Sequence, residues 1–266
     1  EVFDRGHHLV RDTVGVFQLE SVQMRELLRR LSPTEFADVA AVIALYRPGP
    51  MSSNMHNDYA DRKNDRQAIE PFHPDVEEAL AGTYGLMIYL ESMMRVSEKL
   101  AGYTLAEADN LRKAAGKKIQ ELMKAEREKF VEGCVNTGYD ERLGHQVFDL
   151  IEPFADYAFC KSHAFGYGLI SYQTAYLKAN YPHEYIAAVL TSFKDKSDRA
   201  AIYLAEARRM GLTITVPDVN KSNSDFNVDN EIILFGMGGI RNVGEGVVAK
   251  IVQAREAGPF KNFYDF

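Results

Sequence analysis

The densest chemistry lies in Tyr157-Ala158-Phe159-Cys160-Lys161-Ser162-His163, followed by Tyr167 and by Ser171-Tyr172-Gln173. A cation, an imidazole, hydroxyls and rings fall in one short segment, which reads as a loop entering a helix. Ser162 is the expected N-cap. A helix start offers free backbone N–H groups, and beside Lys161 these suit a phosphate. His163 and Tyr167 are four apart and share a helix face. Ala164, Gly166 and Gly168 would leave that surface low enough for a flat base to approach. The same residues also fit a Tyr-rich core helix with an incidental Lys-Ser-His start, and the segment alone leaves both readings open.

A second set of candidate residues is Arg112, Lys113, Lys117 and Lys118, within Asp109-Asn110-Leu111-Arg112-Lys113-Ala114-Ala115-Gly116-Lys117-Lys118. Cations near a helix C-terminus are favoured by the helix dipole, and Asp109 with Lys113 makes an i,i+4 pair. Four cations so close together exceed what capping needs and point to a polyphosphate. A third set is Gly238-Gly239-Ile240-Arg241-Asn242-Val243-Gly244-Glu245-Gly246, running into Val247-Val248-Ala249-Lys250. It fits a helix–hairpin–helix, a short apolar helix leading through a Gly-x-Gly turn into a second helix. Such a turn lets backbone N–H groups converge on one phosphate and holds a duplex without reading its sequence. A plain αα-hairpin is the competing reading.

The elements that must position these residues read mostly as helix. Ser32-Pro33-Thr34-Glu35 and Thr104-Leu105-Ala106-Glu107 are expected capping boxes. The first helix should run to about Tyr46, where Arg47-Pro48-Gly49-Pro50 must break it. The second should end at Gly116, a left-handed C-cap. Further helices are expected over roughly 21–31, 86–101, 119–136, 141–152, 162–181, 184–194 and 198–210. After Gly211 the pattern changes to two short β-type runs, Leu212–Pro217 and Glu231–Phe235, separated by a polar stretch. The fold class is therefore mainly α. The expected organisation is a helical domain over 1–211, a β-containing connector over 212–235 and a helix–hairpin–helix unit over 236–266.

The chain of 266 residues is 46% hydrophobic and 26% charged, with a formal net charge of −7. These values are ordinary for a globular protein, and no apolar run approaches a membrane span. Acidity argues mildly against nucleic acid, but the field a ligand meets is local, and 112–129 is net positive. Two cysteines, Cys134 and Cys160, make no disulfide framework, and the cytoplasm is the expected compartment. The chain does not begin with Met and reads as a piece of a longer one. No Cys-x-x-Cys, His-Glu-x-x-His or Walker loop occurs, and no Asp-x-Asp lies on a strand-like run, so neither catalytic nor metal-ligating residues are expected.

In order along the chain, several blocks resemble one family. They include Gly15-Val16-Phe17-Gln18-Leu19-Glu20-Ser21, Ala44-Leu45-Tyr46-Arg47-Pro48-Gly49-Pro50, Gly102-Tyr103-Thr104-Leu105, Leu111-Arg112-Lys113-Ala114, Lys161-Ser162-His163, Ser171-Tyr172-Gln173-Thr174 and the Gly244-Glu245-Gly246 turn. The family is the alpha subunit of bacterial DNA polymerase III, a C-family replicative polymerase. The resemblance implies the fingers domain through the first helix–hairpin–helix unit, with the Mg²⁺-holding palm aspartates upstream of this chain. It implies that Arg112, Lys113, Lys161 and His163, with Tyr157 nearby, meet the incoming dNTP. Lys117, Lys118, Ser162 and Tyr167 complete the nucleotide candidates. Arg47, Arg241, Val243, Gly244 and Gly246 are the DNA candidates. Implied partners are primer–template DNA, dNTP and, through segments not in this chain, replicase subunits such as the sliding clamp. Leu90 and Ser92 stand where the family has Gln, Cys160 where it has Asn, and Lys113 where Arg is frequent. A non-catalytic DNA-binding scaffold and the error-prone relative of the same subunit are the alternatives.

Overall fold

The computed structural model describes residues 13–70, 72–117, 120–154 and 157–266, without the side chains of 115–117 and 120. Two compact units divide the described residues, one comprising 21–172 and the other 13–20 with 173–266.

The 21–172 unit begins with α1 (Val22–Leu31), α2 (Phe36–Leu45), α3 (Pro48–Ser52) and α4 (Met55–Lys63). The expected capping box moves by a few residues. Ser32 closes α1 in a left-handed conformation, with its N–H on the Leu28 carbonyl. Glu35 and Asp38 form the reciprocal box that opens α2. With only four residues between the helices, Ser32 is taken by the first and cannot start the second. Asp38 is fully buried. Its carboxylate accepts from the Thr34 N–H at 2.8 Å and lies 3.4 Å from the Lys63 ammonium. Next to it, burial pushes the Tyr59 phenol far above its usual range. The Pro-Gly-Pro segment does stop α2, but Pro48 then occupies the first turn of α3, where its missing N–H costs nothing.

Next come α5 (Pro74–Leu80), α6 (Leu90–Ala101), α7 (Leu105–Lys117), α8 (Gln120–Asn136) and α9 (Glu141–Phe154). They enclose a core that includes Met93, Val96, Leu100, Leu111, Phe130, Phe148, Ile151 and Phe154. α6 starts four residues later than periodicity suggests, because Tyr89 pairs as a β-bridge with Phe159. The second capping box forms as expected: Glu107 accepts from the Thr104 N–H at 2.9 Å and Thr104 from the Glu107 N–H at 3.3 Å. α7 continues through Gly116 to Lys117, so Gly116 is not its C-cap. The buried stripe Ala108, Leu111 and Ala114 holds the last turns against glycine's weak propensity. α10 (Lys161–Asn180) leads from this unit into the other, the division falling between Tyr172 and Gln173.

The second unit holds α11 (Pro182–Ser192), α12 (Ser197–Arg209), β1 (Thr213–Ile214), β2 (Asn227–Asp229), β3 (Ile232–Leu234) and α13 (Glu245–Ala254). Its core gathers Ile186, Leu190, Tyr203, Ala207, Phe226 and Ile233. The sheet order is β1-β3-β2, parallel for β1–β3 and antiparallel for β2–β3. β2 falls in the polar stretch between the two β-type runs expected from sequence. Asn230 and Glu231, both at positive φ, turn it back onto β3 as a two-residue hairpin. Residues 13–20 are bound here by side chains: the Tyr185 hydroxyl donates to the Gly15 carbonyl at 2.6 Å and the Lys178 ammonium to the Val14 carbonyl at 2.7 Å. The expected first helix of the hairpin is only a 3-10 turn, Met237–Gly239. Cβ atoms at Gly236 and Gly238 would sit 2.7 and 2.8 Å from the 224–226 backbone, so this arm must be glycine-rich and cannot lengthen into a helix. Among the described residues no helix is long and apolar enough to cross a membrane.

Candidate functional site

The Tyr157–Lys161 segment is held from two sides within the 21–172 unit. On one side Arg47 donates from Nε to the Ala44 carbonyl at 2.9 Å and from Nη2 to the Tyr157 carbonyl at 2.7 Å. Its guanidinium lies 4.1 Å from the centre of the Phe159 ring, and burial lowers its pKa. A Cβ on Gly49 would come within 2.5 Å of the Tyr157 Cβ, so the Pro-Gly-Pro turn can seat here only with glycine. On the other side the Leu90 N–H donates to the Phe159 carbonyl at 2.9 Å. Glu91 accepts the Lys161 N–H at 2.8 Å, and the Cys160 thiol lies 3.5 Å from the same carboxylate. This explains why α10 begins at Lys161 and Ser162 is not its N-cap. A carboxylate from α6 satisfies the helix start and its dipole from outside. The free N-terminus expected to receive a phosphate is thus partly filled by the protein itself.

Successive residues of α10 step about 100° around the axis. Ala164 and Gly168 turn inward, and a Cβ on Gly168 would lie 3.5 Å from the Ala40 backbone. Of the three small residues expected beneath a base, only Gly166 is on the open surface, and a Cβ there would meet nothing. Beside it, the His163 and Tyr167 rings stack obliquely, centroids 4.3 Å apart at 41°, with Phe159 edge-on to His163 at 5.4 Å. Lys161 lies on nearly the opposite side of the helix from His163, about 200° away by the same geometry. Its ammonium sits 5.7 Å from the Tyr89 ring and 5.6 Å from Phe165. The residues read as one cluster therefore form two surfaces, a His163–Gly166–Tyr167 platform and a Lys161 pocket.

Arg112 and Lys113 project from the outer face of α7, and both engage Asp109 at 2.7 Å. Lys113 and then Arg112 hold that carboxyl below the usual carboxylate range. The pair is thus less bare than the sequence suggests, two cations sharing one anion. Lys118 and the side chain of Lys117 lie outside the described residues. The cation that joins Lys161 is Arg95 of α6, in a pocket also lined by Glu91, Ser92 and Tyr89. Sequence reasoning missed Arg95. The available signal was its i,i+4 spacing from Glu91 on a helix whose buried stripe is Met93, Val96, Ser97 and Leu100.

In the other unit Gly244 is the N-cap of α13, with φ −79°, and Gly246 lies in its first turn. Both are exposed, and a Cβ on either would meet nothing. Their lack of a side chain is not demanded by this fold, unlike that of Gly236 and Gly238. Arg241 is exposed and Val243 half-buried beside them. Lys194, paired with Asp225 at 2.7 Å and Glu245 at 3.3 Å, fastens the turn to the α11–α12 connection. Among the described residues no three His, Cys, Asp or Glu side chains stand together as a metal site.

The described residues thus hold a mainly helical unit bearing a basic, aromatic helix start, and a second unit in which a glycine-rich turn leads into α13. Residues 9–138 match the bacterial DNA polymerase III alpha subunit finger domain, and 211–266 match a helix–hairpin–helix motif. The chain belongs to the bacterial DNA polymerase III alpha subunit family. It is 55% identical over 260 residues to DNA polymerase III subunit alpha of Mycobacterium tuberculosis H37Rv, covering 96% of this chain and 22% of the relative. The corresponding subunits of Saccharopolyspora erythraea and Pseudomonas fluorescens are 52% and 45% identical, again over 96% of this chain and 22% of theirs. The chain spans about a fifth of the length of the curated relatives it matches.

Proposed function

We propose that this chain is the nucleotide- and DNA-handling part of a template-directed DNA polymerase acting in the cytoplasm. Carboxylates elsewhere in the longer protein would hold the Mg²⁺ ions, and the primer 3′-hydroxyl would attack the dNTP α-phosphate in line. The observation that carries this reading is the His163–Gly166–Tyr167 platform. The exposed His163 ring tilted against the half-buried Tyr167 ring, beside a glycine whose Cβ would meet nothing, offers a flat base a surface to approach. Arg112 and Lys113 would supply phosphate contacts, exchanging part of their hold on Asp109 for the triphosphate. Arg47 acts indirectly, by seating the Tyr157–Phe159 segment. Residues 236–266 would clamp a duplex phosphate through the Gly244–Gly246 turn, with 212–235 as connector and Arg241 alongside. The sliding clamp would bind through other parts of the protein.

The test is single-turnover dNTP incorporation by the full-length subunit. Arg112→Ala and His163→Ala should each lower kcat/KM for dNTP by about one to two decades, the effect of roughly 1.5–3 kcal/mol for a lost charged contact or base stack. Primer–template affinity should change much less. Intact dNTP kinetics with weakened primer–template binding would move these residues to the DNA track.

A further inference from the structure

In the second unit a groove of about 870 Å³ lies between α11 and β2, two elements that the proposed handling of nucleotide and duplex does not use. Cavities of roughly 300–1,000 Å³ take whole ligands, so this one has room for a few residues of chain rather than a lone ion. β2 is an edge strand, since the sheet order is β1-β3-β2. Opposite residues of an antiparallel pair exchange both backbone hydrogen bonds or neither. Val228 stands opposite Ile233, and the Ile233 carbonyl accepts the Thr215 N–H at 2.9 Å, on the side away from β2. Val228 and Ile233 are therefore a non-bonded pair, and the N–H and carbonyl of Val228 face the open edge. Phe226, two residues earlier, faces the same way, and there Thr191 of α11 covers the edge. Its hydroxyl oxygen accepts the Phe226 N–H at 3.1 Å and lies 3.5 Å from the Phe226 carbonyl. One turn back along α11 stand Ala187 and Ala188, which have no polar side chain to offer Val228. Among the described residues nothing bonds the outward groups of Val228, and the buried side-chain oxygen of its neighbour Asn227 also lacks a partner.

The rim of the groove is acidic. Glu184 and Glu231 line it, both exposed and neither in an ion pair among the described residues. Asp225 lines it too and is engaged by Lys194 at 2.7 Å. No Lys or Arg belongs to the lining. Such a field repels a phosphate backbone and attracts cations. An unpaired strand edge is completed by another extended backbone. We propose that the α11–β2 groove takes an extended segment of a partner protein bearing Lys or Arg. The segment adds to β2 through the N–H and carbonyl of Val228 and sets its basic side chains against Glu184 and Glu231. Ala187 and Ala188 leave the space that the added backbone needs.

The test follows the fluorescence anisotropy of labelled peptides titrated with the full-length subunit. The probes are Lys-Val-Lys-Val-Lys-Val-Lys, the same sequence methylated on every backbone nitrogen, and its Glu-Val counterpart. The first should bind saturably. The other two should bind about tenfold more weakly or worse, one for want of backbone donors and one for its charge. Glu184→Lys combined with Glu231→Lys should weaken the Lys-Val peptide to a similar extent and strengthen the Glu-Val peptide. Ala188→Trp keeps both carboxylates. Position 188 is exposed, so the larger side chain should leave Tm unchanged while filling the groove and abolishing binding. Absence of saturable binding by the Lys-Val peptide overturns the proposal, as does binding indifferent to both the double charge reversal and Ala188→Trp. Equal binding of the methylated peptide also overturns it, because the groove would then read charge alone, as for a soluble polyamine. None of these titrations contains dNTP or DNA, so the proposal stands or fails apart from the polymerase reading.

Discussion

At the scale of single residues, the most constrained charge is Asp38. It is buried with Lys63, caps two backbone N–H groups and faces the Tyr59 hydroxyl at 3.4 Å. Removing one member of such a group leaves the other charge buried and unpaired. Asp38→Ala should therefore destabilise the 21–172 unit by about 3–5 kcal/mol, read as a lowered urea midpoint. Nothing at position 38 announced this. In sequence it reads as one more acid at a helix start, and only the neighbours brought by α4 make it structural. Arg47 is similar. Its place in the Arg-Pro-Gly-Pro block was legible, but its hold on the Tyr157 carbonyl and the Phe159 ring depends on partners more than a hundred residues away. Arg95 left one local signal, its i,i+4 spacing from Glu91, and none of its meeting with Lys161. His163 and Tyr167 were legible because their partnership is local, i to i+4 on one helix.

At the scale of elements, periodicity located the long helices well, because each buries one stripe in its own core. It misplaced ends wherever a distant group did the capping. Glu91 starts α10, and the Tyr89–Phe159 bridge delays α6. The two-residue turn at Asn230-Glu231 hid β2, since Glu is an uncommon choice at positive φ. The α10–α12 contact makes a prediction of its own. Lys178 and Glu206 form a buried ion pair, and Arg209 donates to both Glu206 oxygens at 2.9 Å. Burial alone would raise the Glu206 pKa, but the hydrogen bonds from Arg209 and Lys178 outweigh it and hold it below the usual range. A carboxyl with a depressed folded pKa stabilises above its unfolded pKa and loses that contribution as pH falls through the folded value. The 173–266 unit should thus lose stability below the ordinary glutamate range, measured as Tm against pH. Glu206→Gln should flatten that part of the profile while lowering Tm at neutral pH.

Also at the element scale, α13 carries a glycine that its own fold does not require. Gly246→Ala should raise helix stability, by up to about 1 kcal/mol, since Ala is the better helix former and the added Cβ meets nothing. A rise in Tm accompanied by weaker duplex binding would show that the glycine is kept for a close approach from outside. A rise in Tm with unchanged duplex affinity would remove that role.

At the scale of the whole molecule, the proposed nucleotide contacts lie in the 21–172 unit and the proposed duplex-phosphate contact at the hairpin end of the other. The most direct test compares Arg112→Ala with Gly246→Val in the full-length subunit, measuring KM for dNTP and the salt dependence of duplex Kd for each. Arg112→Ala should raise KM or lower kcat and leave duplex Kd nearly unchanged. Gly246→Val should leave dNTP kinetics intact at saturating DNA, weaken binding to unrelated duplexes alike, and lower the log-salt slope by about one unit for the lost phosphate contact. If both substitutions moved the same quantity, or if Gly246→Val left duplex affinity unchanged, the division of labour would be contradicted.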